Sequence, residues 1–264
     1  MTYYYPKMSR LRTTSDALEP IVIYSQNMRA AVRQYLTTRA GQPDVPVEIH
    51  LPDMTMNELE AQIEIMPDMQ NCKIISSHVE VICFGLLYDL NITGVVPENA
   101  FKGCKRVRRA VIQAQSLRTR SFVGSFTWTD AVGRNAFKDC TNLESVKFVG
   151  TRYTVIGAYA FCDCTKLSII EFPEDQSDDV FLSIKPYAFH GCSALTKLYI
   201  ASGVTAIGGA AFHGCSGLTV VQIGEPAGKR KDISRSAFPQ GVRFEYVDIP
   251  LEGMCSIQYT SLNF

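Results

Sequence analysis

The sequence predicts an α/β solenoid, in which short strands alternate with short helical or 3₁₀ turns, preceded by a small N-terminal α/β cap or module. Two observations predict this fold class. The dipeptide Ala-Phe occurs six times, with 23 to 36 residues from one phenylalanine to the next, a period that is typical of stacked repeats. An apolar segment with hydrophobic residues at fixed spacings follows each of the first five copies, which predicts one strand per repeat.

Equivalent residues around Ala-Phe form columns. The phenylalanines are Phe101, Phe137, Phe161, Phe189, Phe212 and Phe238. Val or Ile stands five residues before each of them, and a cysteine stands three residues after the first five, at Cys104, Cys140, Cys164, Cys192 and Cys215. One unit of this length cannot bury its apolar face alone, so it stacks on its neighbour at about the 4.8 Å spacing of paired strands. We therefore expect the phenyl rings to stack in the interior and the cysteines to be small buried hydrophobes.

The combined pattern, I/V-x-x-x-A-F-x-x-C-x-x-L-x-x-I/V-x-I/F, resembles that of the BspA-type leucine-rich repeat family, over about residues 92 to 245. The resemblance implies a right-handed solenoid. Each coil would have a short strand, a turn and a brief helical or 3₁₀ piece around Ala-Phe. It also implies a role in adhesion or host interaction, because members of the family are mostly cell-surface or secreted proteins.

The chain divides into four predicted segments. They are a flexible N-terminus over residues 1–17, an α/β cap or module over 18–70, a leucine-rich-repeat solenoid over 71–249 and a C-terminal cap or tail over 250–264. Within the cap, the patterns predict a strand at 21–24, a helix at 26–39, a strand at 47–51 and a helix at 53–66. The apolar stretch 73–90 predicts a degenerate coil or a capping strand.

Nine cysteines cannot all pair with one another, and five of them occupy one column. We expect buried reduced thiols rather than the disulfide scaffold of a small secreted protein. No run of residues approaches the ~20 apolar positions that span a bilayer, and the first residues lack the layout of a secretory signal. The sequence therefore favours a cytoplasmic location, with a surface or secreted location as the alternative.

Three charged or polar clusters are weighed as sites. A basic run lies at residues 102–120, a shorter one at 229–231, and an acidic run at 174–179. In the column after Phe, Cys162, His190 and His213 are candidate zinc ligands. Solvated surface is the favoured interpretation of each cluster, so we expect no metal site and no cofactor. The formal net charge is zero, which makes nucleic acid an unlikely partner.

No catalytic motif is present in the sequence, so we expect no enzyme activity. The predicted function is a non-enzymatic protein-binding module, for interaction or adhesion, whose strand face provides the binding residues. These are Arg108, Arg109, Glu144, Lys147, Glu171, Lys197, Tyr199 and Gln222. The alternative is an intracellular adaptor whose N-terminal module recruits a second partner, since Leu51-Pro52 followed by Leu59 and Ile63 is similar to the opening of an F-box. No membrane insertion is expected, and the sequence indicates no oligomeric state.

Overall fold

The computed structural model describes residues 20–25, 27–39, 45–51, 58, 72–76, 79–84, 87–116, 118–120, 126–149, 153–173, 181–226 and 233–249. These residues form a strand-rich solenoid of about seven turns with little helix. The two terminal segments, most of the predicted helix at 53–66, the acidic run 174–179 and the basic run 229–231 lie outside the described residues.

The N-terminal elements are β1 (Ile21–Tyr24), α1 (Met28–Arg39), β2 (Val47–His50), β3 (Cys72–Ile75), β4 (Val79–Phe84) and β5 (Leu87–Thr93). The repeats contain β6 (Val107–Gln113), β7 (Arg118–Arg120), β8 (Phe126–Trp128), β9 (Ser145–Phe148), β10 (Tyr153–Ile156), β11 (Ile169–Glu171) and β12 (Phe181–Ile184). They continue with β13 (Lys197–Ile200), β14 (Val204–Ile207), β15 (Val220–Pro226), a 3₁₀ helix (Arg235–Ala237) and β16 (Arg243–Ile249).

The N-terminal block is joined to the solenoid by backbone pairing. β1, β2 and β3 are parallel and open an eight-stranded sheet in the order β1-β2-β3-β4-β5-β6-β9-β11. α1 follows β1, and its Ala31 and Tyr35 are buried in the same core cluster that extends to Phe238. The N-terminal block and the repeats therefore share one hydrophobic core.

The stretch 73–90 differs from the predicted coil or single capping strand. It contains β3, β4 and the beginning of β5, and both neighbouring pairs are antiparallel. The short connections explain the difference, because a parallel pair needs a crossover of a dozen or more residues whereas adjacent antiparallel strands need only a tight turn. Parallel pairing resumes between β5 and β6, where the repeats begin.

Each regular coil contributes to two sheets, whereas the repeat pattern predicted one strand per coil. One strand joins the large sheet or the sheet β13-β15-β16, and a second joins the sheet β10-β12-β14. The Val or Ile residue five positions before Phe ends this second strand, as Ile156 and Ile184 do. Isolated parallel bridges pair Val96 with Val132 and Val132 with Ile156. The pairing between second strands thus continues toward the N-terminus.

The Ala-Phe segments are hydrogen-bonded turns rather than the expected helical pieces, except for the 3₁₀ helix of the last copy. The backbone explains this, because residues two before and two after Phe lie in the left-handed region. In the second copy these are Asn135 (φ 55°) and Asp139 (φ 63°). A right-handed helix cannot continue through such a residue, so the chain turns twice within five residues.

The predicted phenylalanine ladder is present. Successive ring centroids from Phe101 to Phe238 lie 5.0, 5.0, 5.0, 5.2 and 5.3 Å apart, with interplanar angles of 16° or less. This spacing matches that of paired strands because the turns are also joined through their backbones. Each of the first five turns donates a hydrogen bond to the next coil, for example from Phe161 N–H to Ala188 O at 2.7 Å.

The column cysteines are buried, as predicted. Four of them donate the S–H to a carbonyl oxygen of the preceding coil, such as Cys164 Sγ to Phe137 O at 3.1 Å. Burial raises the pKa of the Cys140 and Cys164 thiols well above the ordinary value. Each of these carbonyl oxygens has two lone pairs, and the cysteine S–H is a weak donor that can use one of them. The small cysteine side chain therefore fits this column.

A charged strand face as the candidate functional site

The outward residues of the large sheet form two rows that cross the strands. The backbone register aligns Asp89 of β5 with Arg109 of β6 and Ser145 of β9. The second row aligns Val111 of β6 with Lys147 of β9, and Lys147 with Glu171 of β11. Alternation along each strand turns the intervening residues, such as Ala110 and Val146, into the core.

Side chains of opposite charge form pairs between neighbouring coils on this face. Arg109 forms an ion pair with Asp89, Lys147 Nζ lies 2.9 Å from Glu171 Oε2, and Arg108 Nε lies 3.4 Å from Glu144 Oε2. The hydrogen bond that Arg109 Nε donates to Asp89 Oδ2 raises the pKa of the Arg109 guanidinium. We call these six residues the charged strand face: Asp89, Arg108, Arg109, Glu144, Lys147 and Glu171.

A shallow depression of about 240 Å³ lies within this face. Uncharged side chains such as Asn91, Val111 and Ser145 line it, together with the ion pairs Arg109–Asp89 and Lys147–Glu171. Its volume is below the ~300 Å³ at which small-molecule pockets begin. The arrangement suits a protruding side chain of a partner better than an enclosed ligand.

The predicted strand face extends over two hydrogen-bonded sheets. The hydrogen-bonded ladder of the large sheet ends at β11, and a new sheet begins at β13. Lys197 and Gln222 lie on this second part, where Gln222 Nε2 donates to Glu245 Oε2 at 3.0 Å. Tyr199 was expected to be exposed, but it is half-buried, packs against the core and has a buried hydroxyl oxygen.

The basic run at 102–120 is distributed over several contacts with neighbouring coils. Lys105 Nζ donates to Asp139 O at 2.8 Å, and the Arg106 guanidinium lies 4.5 Å from the centre of the Tyr88 ring. The next two arginines belong to the charged strand face. The structure thus places these four cations against internal partners instead of in one basic patch, and the side chains at 118–120 are not described.

The Ala-Phe turns lie on one side of the solenoid, which we call the turn side. There, the column of residues directly after Phe brings together some of the candidate zinc ligands. Cys162 Sγ lies 3.8 Å from His190 Nδ1, whereas the His213 ring stacks on the His190 ring at 5.5 Å. Asp163, which the sequence analysis did not single out, accepts a hydrogen bond from Cys162 Sγ at 3.2 Å. Burial and this hydrogen bond raise the pKa of the Cys162 thiol to about 12.

Comparison with protein families gives a match for the repeated part. The model of the BspA type leucine rich repeat region matches six copies over residues 130–262. The chain belongs to the BspA-type leucine-rich repeat family. The match begins later than the resemblance over residues 92 to 245, although the structure places Phe101 in the same ladder as the later phenylalanines. No curated protein is significantly similar to the chain.

Several solved structures are similar to this BspA-type chain. A leucine-rich repeat protein from Bacteroides ovatus is 16% identical, with 77% of this chain and 48% of that chain covered and a TM-score of 0.38. The leucine-rich repeat protein TpLRR of T. pallidum is 17% identical, with coverage of 63% and 77% and a TM-score of 0.39. The pneumococcal vaccine antigen PcpA is 15% identical, with coverage of 77% and 63% and a TM-score of 0.34.

The chain thus spans about half the length of the Bacteroides ovatus protein. At these identities the likeness concerns the fold alone. Within the described part of the chain, no helix has the length and apolar character needed to cross a membrane.

Proposed function

We propose that this BspA-type repeat protein is a non-enzymatic binding module that holds a protein partner on its charged strand face. The single observation behind the proposal is the depression between β5 and β11, which is lined by uncharged residues and by two pairs of opposite charges. A rigid sheet presents these groups without ordering a loop, so little conformational entropy is lost on binding.

The charge balance favours a protein over nucleic acid as the partner. The charged strand face has three basic and three acidic side chains, and each cation is paired with a neighbouring anion. Nucleic-acid binding draws on uncompensated Lys and Arg that release counterions from phosphates. A mixed surface instead selects a partner with complementary charges on both signs.

Two substitutions test the site directly. Ser145→Arg fills the depression, and Lys147→Glu breaks the pair with Glu171 and reverses one charge. We expect both variants of the full chain to lose a cross-linked partner that the wild-type protein captures and that mass spectrometry maps to β5–β11. The proposal fails if both variants keep that partner, or if the cross-links map elsewhere.

A matched control lies beside the sheet β10-β12-β14. Lys185 Nζ is 2.6 Å from Asp130 Oδ1, so Lys185→Glu breaks an ion pair of the same kind away from the charged strand face. We expect this variant to keep the partner. Loss of the partner in Lys185→Glu as well would show that the substitutions act through stability, and would remove the support for this face.

The adaptor alternative concerns the opposite end of the sheet. β1 is an edge strand, and its Tyr24 is 78% exposed and lies 5.0 Å from the His50 ring. Deleting the first 70 residues would uncover β3, so Tyr24→Asp in the full chain is the cleaner test. An adaptor predicts that Tyr24→Asp and Lys147→Glu lose different partners, whereas a single-site module predicts no loss with Tyr24→Asp.

The cytoplasmic location remains part of the proposal, because nine cysteines with five of them in one column do not fit the disulfide scaffold of a small secreted protein. Protease shaving of intact cells distinguishes it from the surface location that the family resemblance implies. Protection of the protein supports the cytoplasm, and cleavage overturns that part of the proposal.

A further inference from the structure

Three potential metal-ligand side chains meet on the turn side of the solenoid, away from the charged strand face. They are Cys162 and Asp163 in one coil and His190 in the next. Cys162 is separated from His190 by 28 positions in the chain but by one coil in space. We propose that these three side chains bind one Zn²⁺ ion and thereby join the two coils.

The distances between the three ligand atoms fit a tetrahedral ion. Cys162 Sγ lies 3.2 Å from Asp163 Oδ2 and 3.8 Å from His190 Nδ1, and His190 Nδ1 lies 3.9 Å from Asp163 Oδ1. With Zn–S near 2.3 Å and Zn–N and Zn–O near 2.0 Å, a tetrahedral site separates its ligands by about 3.3 to 3.6 Å. These distances involve both carboxylate oxygens, and one ligand atom from each residue lies within 4.8 Å of the other two. Rotation of the carboxylate with side-chain shifts of up to about 1 Å therefore brings three ligand atoms to bonding distance.

The backbone already holds the ligand residues in place. Asp163 N–H donates to His190 O at 2.7 Å, and Cys162 N–H donates to Tyr159 O at 3.1 Å. The His190 ring lies between the rings of Tyr187 and His213, at 6.0 and 5.5 Å. Ordered ligand residues reduce the entropy lost when an ion binds.

Asp163 occupies a position that glycine holds in three other copies, at Gly103, Gly191 and Gly214. Its φ of 59° lies in the left-handed region, which glycine adopts without steric cost. Its carboxylate extends over Gly191, in space that a Cβ on that glycine would fill. The carboxylate thus reaches the thiol from a position that is left-handed in each of the first five turns, so the repeat backbone itself aims this side chain at the neighbouring coil.

The ligand set indicates the metal. A thiolate with one imidazole and one carboxylate suits zinc, whereas magnesium and calcium prefer oxygen ligands alone. Cys162 is 3% exposed, but about a third of the His190 side chain is accessible. The ion therefore has room for water as its fourth ligand, and binding releases the thiol proton to solvent.

Cobalt provides a direct readout on the full-length protein. After treatment with a chelator, the protein is titrated with Co²⁺ and then with Zn²⁺. We expect one equivalent of Co²⁺, a thiolate-to-cobalt charge-transfer band that Zn²⁺ abolishes, and a higher unfolding temperature with Zn²⁺. No charge-transfer band, or a band without tetrahedral ligand-field absorption, would overturn the proposal.

Variants assign the ligands. Cys162→Ser should abolish the charge-transfer band, and His190→Ala should weaken Zn²⁺ binding by more than the roughly 10- to 100-fold typical of a lost supporting partner. Asp163→Gly installs the residue that three other coils have, so the protein should fold at least as well without metal yet lose most of its Zn²⁺ affinity. Unchanged affinity in either His190→Ala or Asp163→Gly would contradict the assignment.

His213→Ala is the matched control, since His213 has the same position one coil further along and its ring stacks on His190. It should bind Zn²⁺ like the wild type. An equal loss in His213→Ala and His190→Ala would place the ion elsewhere on the turn side and overturn the three-ligand site.

Discussion

Replacing Phe161 tests whether the stacked rings determine the stability of the solenoid. Phe161 is fully buried, with Phe137 and Phe189 parallel to it at 5.0 Å on either side and Phe148 edge-on at 6.0 Å. Removing a buried phenyl ring costs about 3 to 5 kcal/mol. Backbone hydrogen bonds join the coils on both sides, so the cavity cannot collapse, and we expect Phe161→Ala to lie in the upper half of that range.

Two further variants separate the contributions. Phe161→Leu keeps most of the volume and loses two parallel ring pairs and one edge-on pair, each worth about 0.5 to 1.5 kcal/mol, so we expect a loss of about 1.5 to 4.5 kcal/mol. Phe238→Ala lies at the end of the ladder with one parallel neighbour, Phe212 at 5.3 Å, and should cost about 3 kcal/mol.

Urea unfolding followed by circular dichroism, with amide exchange to detect partial unfolding, measures all three variants against the wild type. The reasoning would be refuted if Phe161→Ala cost less than about 2 kcal/mol. It would also be refuted if Phe238→Ala, at the end of the ladder, were the more destabilising of the two.

Three other substitutions or conditions have expected outcomes. Asp139→Gly relieves a left-handed residue (φ 63°) and should stabilise the protein by ~0.5 to 1 kcal/mol in urea unfolding, and a loss of stability would contradict the strain argument. Gly133→Ala should destabilise by about 1 to 3 kcal/mol, because its Cβ would stand 2.5 Å from Glu98 N, and a neutral effect would show that the coils can separate. The free energy of unfolding should fall above about pH 8.5, where thiols of the unfolded chain lose protons that Cys140 and Cys164 retain through their raised folded-state pKa values. Cys140→Ala should flatten this decline between about pH 8 and pH 10, and an unchanged slope would assign the decline to other groups.

The interior of the solenoid was predictable from the sequence because one physical spacing determines it. Once Ala-Phe repeats are stacked at the distance between paired strands, the rings of Phe101 to Phe238 must lie over one another, as they do. The burial of the column cysteines follows for the same reason. Hydrophobic columns are read directly from their period, since every copy contributes the same kind of residue.

The turns and the ends were less predictable because they depend on backbone conformation and on pairing between distant strands. Asn135 and Asp139 indicate a left-handed conformation less strongly than glycine would. The sequence therefore predicted helical pieces at these turns. The antiparallel pairing of β3, β4 and β5 depends on short connections that hydrophobicity does not reveal. The change of sheet between β11 and β13 likewise has no counterpart in the repeat pattern.

The candidate sites illustrate which residues of a repeat protein are informative about function. The consensus residues of each coil build the core and are the same in every copy, so they cannot distinguish one coil from another. A site requires different residues at equivalent positions of adjacent coils, as with Lys147 beside Glu171 on one side and Cys162 beside His190 on the other. Such pairs are separated by more than twenty residues in sequence and by about one strand spacing in space. The informative positions are therefore those where two neighbouring coils both depart from the repeat pattern. Substitutions there should alter binding and leave the phenylalanine ladder, and with it the fold, intact.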